Sequence, residues 1–247
     1  MQTGSTSHTN NWQAFWSSKP ELFGSVMQRN AVFFTNILLK NKIIQEGQRI
    51  LDYGCGWGSL AIQLKGIAAY YQGLDISKAC IDSCKQLFTA EQQFHFDTID
   101  AQNPDKNLEP FIAKNEQFDL IIILSVIQYF EDISKVELLL ANCKKLLVEK
   151  GKIILADVIQ PDKGLMKDII SNLKDSIKNG YFFSFILFMI KARFSSYHQI
   201  RVKNNLLSLS EADVAGICKK LNLHYEPMPV CTLQHSRVSY CITNSSL

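Results

Sequence analysis

Three glycines at alternate positions, Gly54, Gly56 and Gly58, follow the short run Arg49-Ile50-Leu51-Asp52-Tyr53. Glycine reaches positive φ without strain and admits a ligand where a Cβ would otherwise stand. From Ser59 onward the apolar residues Leu60, Ala61 and Leu64 adopt helical spacing. Strand, tight turn and helix in that order offer backbone N–H groups and the positive end of a helix to a ligand. Asp52, two residues before the first glycine, adds a negative charge. Two further acids close apolar runs downstream, Asp75 at the end of AYYQGLD and Asp100 at the end of FHFDTID. A carboxylate in the place of Asp75 is suited to accept hydrogen bonds from ribose hydroxyls.

Alternating elements must position these residues. Strands are expected at 69–75, 94–100, 118–124 (FDLIIIL) and 152–158 (KIILADV), in addition to the run around Leu51. Ser77 caps a helix to about Leu87. Ser134 and Glu137 have the spacing of a capping box for a helix from 135 to 148, which Lys150-Gly151 ends. The order specifies an α/β fold with a mostly parallel sheet and right-handed crossovers. In such a sheet ligands bind beyond the carboxyl ends of the strands, where Asp52, Gly54, Cys55, Gly56, Asp75 and Asp100 fall. Residues 11–40 open with Trp12, Phe15, Trp16 and Phe23 and continue as a helical pattern that either packs on the sheet or lies over the site.

After Val158 the alternation lapses. Leu165, Ile169, Leu173 and Ile177 describe one amphipathic helix, and YFFSFILFMI at 181–190 is almost wholly apolar. Between 161 and 205 eight basic residues face three acids, so this segment is cationic while the whole chain is only +3. Ser210 and Asp213 start another helix that Asn222 stops, and strands follow at 223–230 and 237–242. The expected organisation is a disordered tail at 1–10 and a single domain at 11–247, with 161–209 as a helical lid or insertion.

The composition limits the alternatives. At 247 residues and 47% hydrophobic the chain can bury a full core. Seven cysteines without a CxxC pair argue against a disulfide framework or a zinc site, and a reducing cytoplasm is expected. No metal site is expected. Residues 1–10 lack the apolar core of a signal peptide. No aromatic–basic interleaving accompanies the cationic segment, so no nucleic-acid partner is expected.

Two nucleotide-like cofactors suit a crevice of this kind. A dinucleotide calls for G-x-G-x-x-G with its pyrophosphate on the helix N-terminus. Here the third glycine is Gly58, and Ser59 occupies the dinucleotide glycine's place. S-adenosyl-L-methionine carries a sulfonium and an amino group in place of phosphate and fits an acidic crevice better.

From about 48 to 158 the sequence resembles the class I, Rossmann-like S-adenosylmethionine-dependent methyltransferases. LDYGCGWG matches their glycine-rich motif, GLDIS their ribose acid, TIDAQ their adenine-side acid, and FDLIIILSVIQYF their fourth strand and following loop. LLVEKGKIILADV resembles their turn and fifth strand, with Glu149 and Lys150 in place of the usual proline and glycine. The resemblance implies a three-layer sandwich around a seven-stranded, mostly parallel sheet whose last strand is antiparallel. It implies that Gly54, Cys55 and Gly56 line the methionine moiety, with Asp52 towards its amino end. Asp75 would hold the ribose with Ile76 against the adenine, and Asp100 and Ala101 would take the adenine edge. Leu124, Ser125 and Gln128 would lie below the sulfonium.

The reaction implied is methyl transfer to an oxygen or nitrogen of a small molecule, apolar or lipid-linked, leaving S-adenosyl-L-homocysteine. No NPPY-like sequence follows the fourth strand, which speaks against exocyclic amino groups as acceptors. The candidates for acting on the acceptor are Gln128, which can orient but not deprotonate it, His235 before the last strand, and His198 with Tyr197 in the insertion. His95 reads as a packed or hydrogen-bonded residue inside the third strand. Residues 181–194, too short to span a bilayer, serve as a buried helix, a lid, a homodimer interface or a peripheral membrane contact. Two alternatives stay open: a catalytically silent, cofactor-binding partner subunit that docks through the insertion, and an NAD(P)-dependent oxidoreductase.

Overall fold

Phe118–Leu124 contains one polar residue in seven, and a run of that kind is stable only with both faces covered. In the computed structural model it is β4, the central strand of a seven-stranded sheet. The structure describes residues 21–100, 103, 106–161, 173, 177 and 206–245. The tail at 1–10, the aromatic residues before Glu21, Ala101, and the lid at 161–209 with Tyr197, His198 and 181–194 fall wholly or mainly outside them.

The strands are β1 (Arg49–Tyr53), β2 (Tyr70–Asp75), β3 (Phe94–Thr98), β4, β5 (Leu147–Val158), β6 (Leu223–Pro227) and β7 (Val238–Asn244). The sheet order is β3-β2-β1-β4-β5-β7-β6. β1 to β5 pair in parallel, and β7 pairs antiparallel with both β5 and β6. The helices are α1 (Glu21–Lys40), α2 (Ser59–Gln63), α3 (Lys78–Leu87), α4 (Glu109–Ala113), α5 (Ile133–Lys145) and α6 (Glu211–Lys220). A 3₁₀ turn spans Ile127–Tyr129.

Side chains alternate across the sheet and build two cores. Ile121, Ile123, Ile153 and Leu155 meet Val136, Leu139 and Leu140 of α5 and Val214 and Ile217 of α6. On the other face Ile50, Leu120, Ile122 and Ile154 meet Phe34 and Leu38 of α1, Leu60 of α2 and Ile81 of α3. The three expected layers follow from this period of two.

Three boundaries differ from expectation. The N-cap of α5 is Asp132, whose Oδ1 accepts from the N–H groups of Ser134 at 2.7 Å and Lys135 at 3.4 Å. Ser134 donates its hydroxyl to the same oxygen rather than forming a box with Glu137. A carboxylate is the stronger acceptor at a positive helix end, so it displaces the hydroxyl as cap. α5 therefore starts and stops earlier than 135–148. β5 begins at Leu147 rather than Lys152, with Glu149-Lys150-Gly151 inside the strand as an irregularity. Five steps on β5 match two on β4, between Phe118↔Leu147 and Leu120↔Lys152. β3 ends at Thr98, and the next residue, Ile99, donates its N–H to the Asp75 carbonyl at 3.0 Å. The other expected elements lie within a few residues of their places, and Asn222 adopts φ +51° after α6.

Ile122 is fully buried between β1 and β5. Ile122→Ala is expected to cost about 2–5 kcal/mol of unfolding free energy, read as a lower urea midpoint at unchanged slope. An unchanged midpoint would contradict the placement of β4 at the centre of the sheet.

Candidate functional site

The chain leaves β1 through Gly54, whose φ of +90° and crowding exclude any other residue. A Cβ there would stand 2.2 Å from Cγ2 of Val126. The close approach brings the segment after β4 against the loop after β1, so Leu124, Ser125 and the glycines converge. The N–H groups of Gly54 and Cys55 are held by the Leu74 carbonyl at 2.7 and 3.0 Å. Gly56, at φ +51°, has only the Met27 methyl carbon, among the described residues, within 4 Å of where a Cβ would be. Gly58, at φ +77°, opens α2, and a Cβ there would crowd Cys84 Sγ at 2.9 Å.

Asp75 closes β2 beside this loop. Its Oδ2 accepts from the Gly56 N–H and its Oδ1 from the Ser77 N–H, both at 2.8 Å. Burial pushes the carboxyl up from its ordinary range, and the backbone donors Ser77, Gly56 and Ile76 pull it back. Ile76 is half-buried next to it. Asp100 is exposed and accepts from Asn103 Nδ2 at 2.7 Å, and Asn107 links its backbone to the Tyr53 hydroxyl at the end of β1. The structure thus brings Gly54, Cys55, Gly56, Asp75, Ile76, Asp100, Leu124 and Ser125 to one end of the sheet.

Asp52 occupies a different environment from an open acidic crevice. It is buried, and Tyr71 donates its hydroxyl to Oδ2 at 2.5 Å. Burial is the largest influence on the carboxyl and raises it to about 7, the Tyr71 bond lowers it, and nearby Asp75 raises it further. The Cys55 thiol is also raised, by its hydrogen bond with Cys84 and then by burial, and stays protonated. All seven cysteines are free thiols.

Beyond β4 and β5 lies a second polar group. Ser125 and Asp157 both have left-handed backbones, at φ +59° and +64°. Such conformations cost of order 1–3 kcal/mol each for a residue with a side chain. Ser125 donates its hydroxyl to Asp157 Oδ2 at 2.7 Å, and Thr232 reaches Asp157 Oδ1 at 3.5 Å. Gln128 is buried, and its side-chain carbonyl has no hydrogen-bond partner among the described residues. Its backbone carbonyl accepts from Leu207 at 2.9 Å, and Leu209 donates to Ile159 at 2.8 Å.

α1 covers this end of the molecule. Its Phe34 and Leu38 are buried, Met27 reaches the glycine loop, and Asn30 Oδ1 accepts the Leu233 N–H at 2.9 Å. Residues 21–40 thus pack on the sheet through Phe34 and Leu38 and reach the glycine loop through Met27. His235 is exposed in the turn before β7, whereas Thr232 of the same loop is buried and reaches Asp157. His95 is exposed on β3 and lies against the Tyr70 ring rather than inside a packed face, with centroids 4.9 Å apart.

Sequence reasoning missed Asp157, Tyr71 and Thr232. Asp157 had a signal: like Asp75 and Asp100 it is an acid at the carboxyl end of a strand. Tyr71 and Thr232 had none, since only the register of β1 with β2 and the path of the last loop bring them to a carboxylate.

Residues 51–153 match the family model described as a methyltransferase domain. The matched segment runs from β1 into β5, the part of the chain that carries the glycine loop and Asp75. The sheet differs from the dinucleotide-binding order 3-2-1-4-5-6 by the antiparallel β7 inserted between β5 and β6. The chain is 21% identical over 190 residues to a ubiquinone biosynthesis O-methyltransferase of Coxiella burnetii, covering 77% of this chain and 73% of the relative. Among solved structures it resembles the N-methyltransferase NodS of Bradyrhizobium japonicum in complex with S-adenosylhomocysteine. That match has a TM-score of 0.59 at 13% identity and covers 97% of this chain and 100% of the other. A magnesium protoporphyrin IX methyltransferase of Synechocystis with bound S-adenosylmethionine matches with a TM-score of 0.56 at 14% identity, covering 98% of each. No helix among the described residues is long and apolar enough to cross a membrane.

The raised carboxyl of Asp52 predicts a pH dependence of stability. The folded chain holds a proton up to about pH 7 that an unfolded carboxyl, with its ordinary value of 3.8, releases. The contribution of Asp52 to stability is therefore largest in acid, falls as pH rises from about 4 to about 7 and is flat above. Asp52→Asn should remove this falling component from urea midpoints measured across that range. An identical pH profile in the variant would contradict the burial of Asp52.

Proposed function

We propose that the chain transfers a methyl group from S-adenosylmethionine to an oxygen of a small, apolar, hydroxylated acceptor. The observation that carries the cofactor assignment is the Asp75 carboxylate, pinned between the Gly56 and Ser77 N–H groups with half-buried Ile76 beside it. Three backbone donors, Ser77, Gly56 and Ile76, share its two oxygens, and a carboxylate has acceptor capacity beyond three for a ribose hydroxyl. The residues fit the cofactor on other counts as well. A Cβ at Gly56 would make only ordinary contact with the Met27 methyl carbon among the described residues, and the buried Gln128 side-chain carbonyl has no partner among them and suits a donor.

In this reading Gly54, Cys55 and Gly56 line the methionine moiety, and Asp52 stands behind them as the nearest buried carboxylate. Asp75 and Ile76 hold the ribose and adenine, with Asp100 and Ala101 at the adenine edge. Leu124, Ser125 and Gln128 border the acceptor. The bound cofactor supplies an electrophilic methyl group on a sulfonium, so the protein has mainly to align the acceptor. Alignment of that kind is worth roughly 7–11 kcal/mol of barrier.

Two observations favour an apolar, hydroxylated acceptor. The curated relatives named above are O-methyltransferases of ubiquinone biosynthesis. The insertion also leaves after β5 and returns through Leu207 and Leu209, which are tied to Gln128 and Ile159. The run YFFSFILFMI at 181–190, between these two points in the sequence, supplies apolar side chains and favours an apolar acceptor.

Asp75→Ala removes charge-assisted bonds to the ribose. It is expected to weaken S-adenosylhomocysteine by roughly 1.5–3 kcal/mol, read by titration calorimetry as a 10- to 150-fold rise in Kd. An unchanged Kd would remove Asp75 from the site.

A further inference from the structure

We propose that Ser125 and Asp157 form a proton relay that deprotonates the hydroxyl of the methyl acceptor, an inference that rests on the O-methyl-transfer reading above. Asp157 falls where β5 and β7 change register. Three steps on β5, from Leu155 to Val158, match two on β7, from Tyr240 to Val238. One extra residue in an antiparallel pair is a β-bulge, a device that re-aims a side chain and recurs next to active sites. The Asp157 N–H is held by Ser239 Oγ at 3.3 Å, so the bulge has its own support. Ser125 is the first residue after β4, and its N–H is held by the Ala156 carbonyl at 3.1 Å. Two adjacent strands thus each end in a left-handed residue with a side chain, and these two residues share one hydrogen bond.

The polarity of that bond gives the relay its direction. Asp157 is 6% exposed and accepts the Ser125 hydroxyl hydrogen bond at 2.7 Å, while Ser125 is half-buried just past the carboxyl end of β4. A serine that donates inward to a carboxylate keeps its lone pairs for a donor from outside. The acceptor O–H donates to Ser125 Oγ, Ser125 donates to Asp157 Oδ2, and Asp157 later releases that proton to solvent. The acceptor oxygen forms its bond to the methyl carbon as the carbon–sulfur bond breaks and sulfur keeps the electron pair. One proton leaves per methyl transferred, and no oxidant or further reactant is needed. Ser125 touches the acceptor and Asp157 acts through it.

A base matters in proportion to how tightly the acceptor holds its proton. The test therefore compares catechol with 4-nitrocatechol, whose hydroxyl ionises far more readily, in wild type, Asp157→Asn and Ser125→Ala. The expected result is a loss of kcat with catechol of about 10²–10⁴-fold in both variants, less than about tenfold loss with 4-nitrocatechol, and an unchanged Kd for S-adenosylhomocysteine. Equal losses with both acceptors would overturn the relay and leave the pair as a structural clamp. So would a loss of S-adenosylhomocysteine binding confined to the variants. A wild type that binds S-adenosylhomocysteine but methylates neither probe would overturn the phenol-type acceptor and the relay with it. A wild type that does not bind S-adenosylhomocysteine would overturn the underlying cofactor assignment.

Discussion

The ligand end of this molecule depends on one buried carboxylate that fastens two backbone segments together. Asp75 takes the Gly56 N–H on one oxygen and the Ser77 N–H on the other, so the loop after β1 and the start of α3 cannot move independently. The cost of burying the charge appears as its raised proton affinity, and the charge-assisted backbone bonds offset part of it. The same loop is fixed from the other side by Gly54 against Val126, a contact that tolerates no side chain. Between them these two constraints set the distance from β2 to the segment after β4. A ligand that spans ribose to sulfonium has to match that distance.

The two ends of the crevice are built on different principles. On the cofactor side, backbone N–H groups and glycines do the shaping, and the side chains involved accept hydrogen bonds. On the acceptor side the backbone is forced into left-handed conformations at Ser125 and Asp157, and side chains bond to one another. Such strain persists only where the surroundings over-determine it. Here the β4–β5 ladder, the bulge against β7 and the Ser239 hydroxyl hold it in place.

Most of the fold was legible in the sequence because its signals are local. FDLIIIL had to be a central strand, Ser77 and Ser210 had to cap helices, and Asn222 had to stop one. The errors arose where a local signal had a stronger neighbour. Asp132 outcompeted Ser134 as a cap, and Glu149-Lys150-Gly151 was absorbed into a strand rather than ending before it. The residues proposed to hold the cofactor were legible as one group because their positions follow from the ends of separate strands. Asp52 was read as part of an acidic crevice because sequence does not reveal that Tyr71, one strand away, covers it. The Ser125–Asp157 pair depends on a bulge set by the register of β5 with β7, which no local pattern encodes. His235 was assigned by topology alone, and topology fixes which end of the sheet a residue reaches, not whether its side chain turns inward.

The central claim is that this glycine loop and its carboxylates hold an adenosyl sulfonium cofactor rather than a dinucleotide. Titration calorimetry of the full-length chain with S-adenosylhomocysteine and, separately, with NADH addresses it most directly. Saturable, one-to-one binding of S-adenosylhomocysteine with no heat from NADH is the predicted result. Binding of NADH without S-adenosylhomocysteine would contradict it.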